Sequence, residues 1–155
     1  MSFRTAVGRT PAIQAHFRDG LQGVKSADRH RLRCRDTHCL RGSVDLDEAL
    51  KDTHPGNPRW DYAIGLRRRN RRNEIVLWLE VHPASSLHVD EVLNKLRWLK
   101  DWLASDAPAL KAMPGFFRWV ATGSIAFRRG SRQERQIAEQ GLRFPSRQID
   151  LDDLQ

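Results

Sequence analysis

The chain is short of most residues that classify a protein at first reading. Only Cys34 and Cys39 are cysteines among 155 residues, too few for a disulfide framework, so free thiols are expected. The longest uninterrupted apolar run, Ile75–Leu79, is far shorter than a membrane span. The first residues, MSFRTAVGRTPAIQ, lack the continuous apolar stretch of a signal peptide, and a cytoplasmic location is the expectation. No glycine-rich phosphate loop follows a strand, because Gly42-Ser43 and Thr122-Gly123-Ser124 read as turns. Neither an internal repeat nor a linker is evident, which predicts one domain across residues 1–155. Lysine is scarce too: five residues, against 22 arginines.

That arginine excess is the first positive signal. The formal net charge is +8, which favours a polyanionic partner, and guanidinium groups make planar bidentate contacts to phosphate. Arg67, Arg68, Arg69, Arg71 and Arg72 crowd one loop, which reads either as a solvated turn protected from aggregation or as a phosphate-gripping loop. Five Trp, six Phe and several aliphatic runs argue for a packed core despite 30% charged residues.

Local patterns predict a mixed α/β order. Thr10-Pro11 reads as the start of a first helix carrying Ile13, Phe17, Leu21 and Val24, within a basic helical segment over residues 1–42. Asp45 and Glu48 have capping-box spacing for a short helix. Residues 53–59, THPGNPR, are a loop by their prolines and glycine. The clearest helix runs over about 88–104, with Val89, Val92, Leu93, Leu96, Leu99 and Leu103 as its buried stripe. Phe116–Ala121 reads as a strand and Ser124–Phe127 as a further one. Ser131 and Glu134 cap a helix over 132–140 that ends at Gly141, and the acidic tail DLDDLQ is expected to fray. The core is placed over about 43–127, with the capped helix and tail at 131–155.

Two runs in the middle of the chain carry the functional signal. Trp60–Leu66 alternates with Trp60, Tyr62, Ile64 and Leu66 on one face, and Ile75–His82 with Ile75, Leu77, Leu79 and Val81 on one face. If they form a hairpin, those apolar faces coincide, and the register parity is set. Asp61 then shares a face with Val76, Trp78, Glu80 and His82. With the turn centred between Asn70 and Arg71, Asp61 lies opposite Glu80. Carboxylates so placed, with Cβ atoms roughly 5 Å apart, repel one another unless a cation or a shared proton offsets them. Mg²⁺ suits such a pair, taking one or two carboxylates and leaving other positions to water and phosphate. In the metal-free fold, Asp61→Asn and Glu80→Gln are both expected to relieve the repulsion and raise stability.

The order helix, Asp-bearing strand, neighbouring strand with Glu80-Val81-His82, long helix and further strand resembles the core of the PD-(D/E)XK nuclease superfamily, over about residues 43–122. That resemblance implies a restriction-endonuclease-like core with a small, largely antiparallel mixed sheet flanked by helices. It also implies that Asp61 and Glu80 hold Mg²⁺ (or Mn²⁺), with Glu48 as an added carboxylate, for hydrolysis of phosphodiester bonds in DNA or RNA. His82 stands where the family usually has Lys. Lysine can come from the following helix in such folds, and Lys95 flanks the buried stripe there. His82 as general base, His82 as a mere strand end, and Lys95 as a boundary residue snorkelling to water all remain open. The family's strand between its first helix and the Asp strand is not evident, since THPGNPR occupies that place.

Other constellations carry less. His30, Cys34, His38 and Cys39 are four zinc-type ligands within ten residues, but no second ligand pair exists for a two-knuckle site. The tryptophans sit at positions expected in the core, with Trp98 and Trp102 as candidates for stacking on bases. The expectation is therefore a metal-dependent nuclease with nucleic acid as partner and no membrane association. The alternative is a non-catalytic basic nucleic-acid-binding or interaction module of degenerate nuclease-like fold, with a protein partner or a homodimer.

Overall fold

The computed structural model describes residues 1–154. In chain order the elements begin with α1 (Phe3–Gly8), α2 (Ser26–Arg29), β1 (Leu32–Arg33), β2 (Leu40–Asp45) and α3 (Leu46–Leu50). They continue with β3 (Tyr62–Arg67), β4 (Glu74–His82), α4 (Val89–Asp106) and α5 (Pro108–Lys111). Last come β5 (Gly115–Ala121), α6 (Arg132–Glu139) and β6 (Ile149–Asp150). Four strands form one sheet in the order β2-β3-β4-β5. β2 and β4 run antiparallel to β3, while β5 runs parallel to β4 after a crossover through α4 and α5. The fold is mixed α/β with a mostly antiparallel sheet, as the sequence patterns predict. No helix among the described residues is long and apolar enough to cross a membrane.

The sheet divides two buried clusters, and strand alternation decides which residue joins which. Val76 and Trp78 of β4 pack with α1, α4 and α6 through Phe3, Val92, Leu96, Leu99 and Ile137. Ile75, Leu77 and Leu79 face the opposite way, toward Val24, Leu32, Ile149 and Leu151. All six predicted stripe residues of α4 are buried, and Trp102 joins them. Each such aliphatic side chain contributes about 1.5–3 kcal/mol by leaving water, so α4 is held by packing more than by its own propensity.

Several local expectations are corrected. Thr10-Pro11 does not open a helix: the helix is α1, capped by Ser2, whose Oγ accepts from the Thr5 amide. Thr10 instead closes it, its hydroxyl donating to the Ala6 carbonyl at 3.0 Å. The expected stripe breaks up accordingly, since Ile13 lies in the α4-side cluster and Val24 in the other. Gly42-Ser43 is not a turn but part of β2, the strand that the sequence hides. β2 carries a bulge between Leu40 and Gly42, and Gly42 has φ +126°, a conformation that side-chain-bearing residues rarely adopt. Ser124–Phe127 forms no strand. Trp60 precedes β3 and packs on the α4 side, with its ring edge-on to Phe117, rather than beside Tyr62.

As far as Leu154 the tail is anchored rather than frayed, Gln155 lying outside the described residues. β6 pairs in parallel with β1, Leu151 is fully buried, and the Asp152 carboxylate accepts the Arg35 amide at 2.8 Å. Of the two predicted capping boxes the N-cap half forms, with Asp45 accepting from the Glu48 amide and Ser131 from the Glu134 amide, while the Glu48 carboxylate pairs with Lys51 and that of Glu134 accepts from the Gly130 amide. Gly141 follows α6 with φ +88°.

Candidate functional site

The β3–β4 register pairs Tyr62 with Leu79 and Arg67 with Glu74, so the next pair outward is Asp61 with Glu80. Asp61 sits just before β3 begins, where the backbone ladder ends and side chains take over its hydrogen bonds. The Val81 amide donates to Asp61 Oδ2 at 2.9 Å, and the Asp61 amide donates to Glu80 Oε1 at 3.2 Å. One oxygen of each carboxylate is thus spent on the backbone. The remaining two, Asp61 Oδ1 and Glu80 Oε2, converge on the ammonium of Lys95.

Lys95 descends from α4 onto the sheet. Its Nζ lies 3.6 Å from Asp61 Oδ1 and forms a short hydrogen bond with Glu80 Oε2. The side chain is only 14% exposed, which separates it from a snorkelling boundary lysine. Glu80 is fully buried beneath α4 because its place in the β4 alternation points it at that helix. A buried carboxylate needs a partner, and the structure supplies Lys95 on one side and His82 on the other, with His82 Nδ1 3.3 Å from Glu80 Oε2.

Burial, and then the neighbouring Glu80 carboxylate, push the Asp61 carboxyl up to about 7 despite the opposing pull of Lys95 and of the Val81 amide. Burial pulls the Lys95 ammonium down, yet Glu80 and Asp61 outweigh it and hold it above its ordinary value. The contact with Glu80 raises His82 above its usual range against the opposing effect of burial. Two carboxylates thus face one ammonium and an imidazole whose protonated form Glu80 favours.

Glu48 does not join this group. It forms an exposed pair with Lys51 at 2.6 Å, and the charges acting on it are Lys51, Lys25 and His16. Its neighbour Asp47 is the α3 carboxylate that bears on Asp61 and Lys95, while its own Oδ1 is held by Arg59 at 3.0 Å. The helix start was legible, but the choice between adjacent acids depends on how α3 is turned against β3.

At the same corner, His88 and Glu91 from the start of α4 come close to His82, a grouping not expected from the sequence. Their spacing of three on one helix, six residues after a strand-end histidine, was the available signal. His82 Nε2 lies 3.3 Å from Glu91 Oε2, and the His82 and His88 rings are 5.3 Å apart.

The arginine loop sits elsewhere. From the Arg67–Glu74 pair to the Asp61–Glu80 pair is six residues along a strand, or about 20 Å. Arg67, Arg68, Arg69, Arg71 and Arg72 line an open cavity of about 360 Å³ with Asp36, His38 and Cys39. Loop and acidic pair therefore occupy opposite ends of the hairpin rather than one cleft.

The cysteine cluster is partly assembled. Cys34 and Cys39 are free thiols with sulfurs 3.6 Å apart, and Asp152 completes a group that takes in neither His30 nor His38. Burial pushes both thiols up, Cys39 to about 12, which keeps them protonated and poor nucleophiles near neutral pH. Trp102 is buried and Trp98 stacks on it at 6.2 Å with its ring edge toward His54, so both are occupied by packing.

Compared with family models, curated proteins and solved structures, the chain matches none. The functional reading therefore stands on the site itself.

Proposed function

We propose that the protein is a metal-dependent nuclease acting on phosphodiester bonds, built on a restriction-endonuclease-like core related to the PD-(D/E)XK superfamily. The observation that carries this reading is the convergence of Asp61 Oδ1, Glu80 Oε2 and Lys95 Nζ at the end of the β3–β4 hairpin. The strand order around it, with a parallel β5 reached through α4, agrees with the resemblance. Lysine enters from α4 rather than from the strand position held by His82.

The carboxylates suit Mg²⁺ or Mn²⁺ by their chemistry: Asp61 Oδ1 and Glu80 Oε2 are two hard oxygen donors that converge on one point, the place the Lys95 ammonium takes here. Bound there, such an ion supplies Lewis-acid activation of water and of a phosphoryl oxygen. Asp61 and Glu80 would be the ligands, each oriented by a backbone amide, that of Val81 on Asp61 and that of Asp61 on Glu80. Lys95 holds the pair together and offers its ammonium to charge building up on a phosphate oxygen. His82, fastened to Glu80 at Nδ1, can accept or return a proton through Nε2. The arginine loop grips the nucleic-acid backbone about 20 Å away, at the other end of the same hairpin.

A second reading is favoured by the same hydrogen bonds. Glu80 caps the Asp61 amide, Asp61 caps the Val81 amide, and Lys95 already neutralises part of their charge, which is also how a structural lock would look. In that case the protein is a non-catalytic basic binding module. Crystals soaked in Mn²⁺ separate the two. Anomalous density touching Asp61 Oδ1 and Glu80 Oε2 supports the nuclease; Lys95 retaining both carboxylates at high Mn²⁺ supports the module.

A further inference from the structure

We propose a second metal site, selective for zinc-like transition metals, formed by His82, His88 and Glu91 beside the acidic pair. One ligand atom from each of these residues lies within 4.8 Å of the other two. His82 Nε2 and Glu91 Oε2 are 3.3 Å apart, about the separation of two donors held some 2.0 Å from a tetrahedral ion.

The way each histidine is held is the stronger argument. Ligating histidines characteristically engage their second ring nitrogen with an outer partner, which sets ring orientation and tautomer. Both do so here. Glu80 Oε2 contacts His82 Nδ1 at 3.3 Å, and Ser85 Oγ lies 2.7 Å from His88 Nδ1. Each ring therefore has its Nε2 left for another task. His82 Nε2 is buried and has no hydrogen-bond partner, even though Glu91 lies within ion-pair distance. A buried nitrogen left in that state costs stability unless something engages it.

Local structure explains the assembly. His82 ends β4, Pro83 stops the strand, and a short turn over Ser86–His88 carries the chain into α4. His88 and Glu91 stand three residues apart, so the first turn of α4 offers both toward the strand end. Two imidazoles and one carboxylate are the donor set of a catalytic zinc ion, and three protein ligands leave one position for water or an anionic oxygen. Imidazole nitrogen favours Zn²⁺ or Co²⁺ over Mg²⁺, whereas the all-oxygen pair Asp61 and Glu80 favours Mg²⁺. The site stands whether or not Asp61 and Glu80 hydrolyse phosphodiesters, although Glu80 touches both as a ligand of one and an outer partner of the other, and an ion on His82 Nε2 excludes proton transfer through that nitrogen.

Metal-stripped full-length protein is titrated with Co²⁺, followed by visible absorption, and then with Zn²⁺ in competition, followed by calorimetry. One tight equivalent is expected, with the intense absorption of a tetrahedral nitrogen–oxygen site and without a sulfur-to-metal charge-transfer band; an ion at the acidic pair would show apart from it as a weaker, faintly absorbing equivalent that Asp61→Asn removes. His88→Ala and Glu91→Gln should each weaken binding at least a hundredfold, and Ser85→Ala about tenfold. His88 and Glu91 lie at the surface end of α4, and circular dichroism should show both variants folded. Asp61→Asn and Cys34→Ser should leave the affinity within about twofold. The inference is overturned if Co²⁺ does not bind, or if tight binding survives both His88→Ala and Glu91→Gln. It is equally overturned if tight binding disappears in Asp61→Asn, which assigns the ion to the acidic pair, or in Cys34→Ser, which assigns it to the Cys34–Cys39–Asp152 cluster.

Discussion

Asp61 and Glu80 look equivalent in the sequence, but the structure gives them opposite energetic roles. Asp61 is the carboxylate with the uncompensated cost: its folded-state pKa is about 7 against an ordinary 3.8. Between those values the unfolded chain releases the proton while the folded one keeps it, so stability falls as pH rises from about 4 to about 7. The loss amounts to at most about 4 kcal/mol from a shift of roughly three units. Asp61→Asn should flatten that slope and stabilise the metal-free protein at neutral pH, as denaturant unfolding in EDTA at several pH values will show. Glu80→Gln behaves differently from the sequence expectation. It removes the closest partner of a buried ammonium, so it should destabilise by about 2 kcal/mol. Lys95→Ala, which leaves two facing carboxylates with His82 as their one cationic neighbour, should cost about 3–5 kcal/mol in the same experiment. A stabilised Glu80→Gln variant would mean that Lys95 does not depend on Glu80.

At the scale of elements, the hairpin was legible because its alternation is strong and its two apolar faces had to match. That one constraint carries through to the Asp61–Glu80 pairing. Lys95 was legible for a similar reason, as it borders a clean helical stripe. β2 was not, because LRGSVD has no alternation and contains a bulge at a glycine with positive φ. α1 was hidden by a cap at the second residue, while Thr10-Pro11 offered a better local start signal that the structure uses as a stop. The anchored tail depends on β1 pairing with residues more than 100 positions away, which no local pattern encodes. α1 itself is positioned by Gly65 of β3, where an added Cβ would overlap the Phe3 ring. Gly65→Ala should therefore destabilise by about 1–3 kcal/mol, read by denaturant unfolding, through displacement of the fully buried Phe3. The arginine loop has a separate test. Replacing Arg67, Arg68, Arg69, Arg71 and Arg72 with Ala should weaken nucleic-acid binding across sequences and lower the salt slope by about 0.9 for each duplex phosphate that is no longer neutralised. Fluorescence titrations indistinguishable from the parent would reduce the loop to a charged turn.

At the scale of the whole molecule, the proposed grip and the proposed chemistry lie apart. A net charge of +8 sits on a chain whose densest arginine cluster lies at one end of the hairpin and whose buried acids lie at the other. About 20 Å of strand spans the two, the length of roughly six nucleotides at 3.4 Å each. Oligonucleotides shorter than about six nucleotides should therefore lose either affinity or turnover sharply, whereas longer ones should differ little. The measurement that bears most directly on the central claim is a cleavage assay on single- and double-stranded DNA and RNA at low salt. Parent, Asp61→Asn and His82→Ala proteins are compared with Mg²⁺, with Mn²⁺ and with EDTA. The account predicts metal-dependent cleavage by the parent and loss of turnover of at least a hundredfold in Asp61→Asn, with nucleic-acid affinity kept or raised because a negative charge has been removed. Binding without cleavage of any of these substrates in either metal, or cleavage by Asp61→Asn at the parent rate, would contradict it.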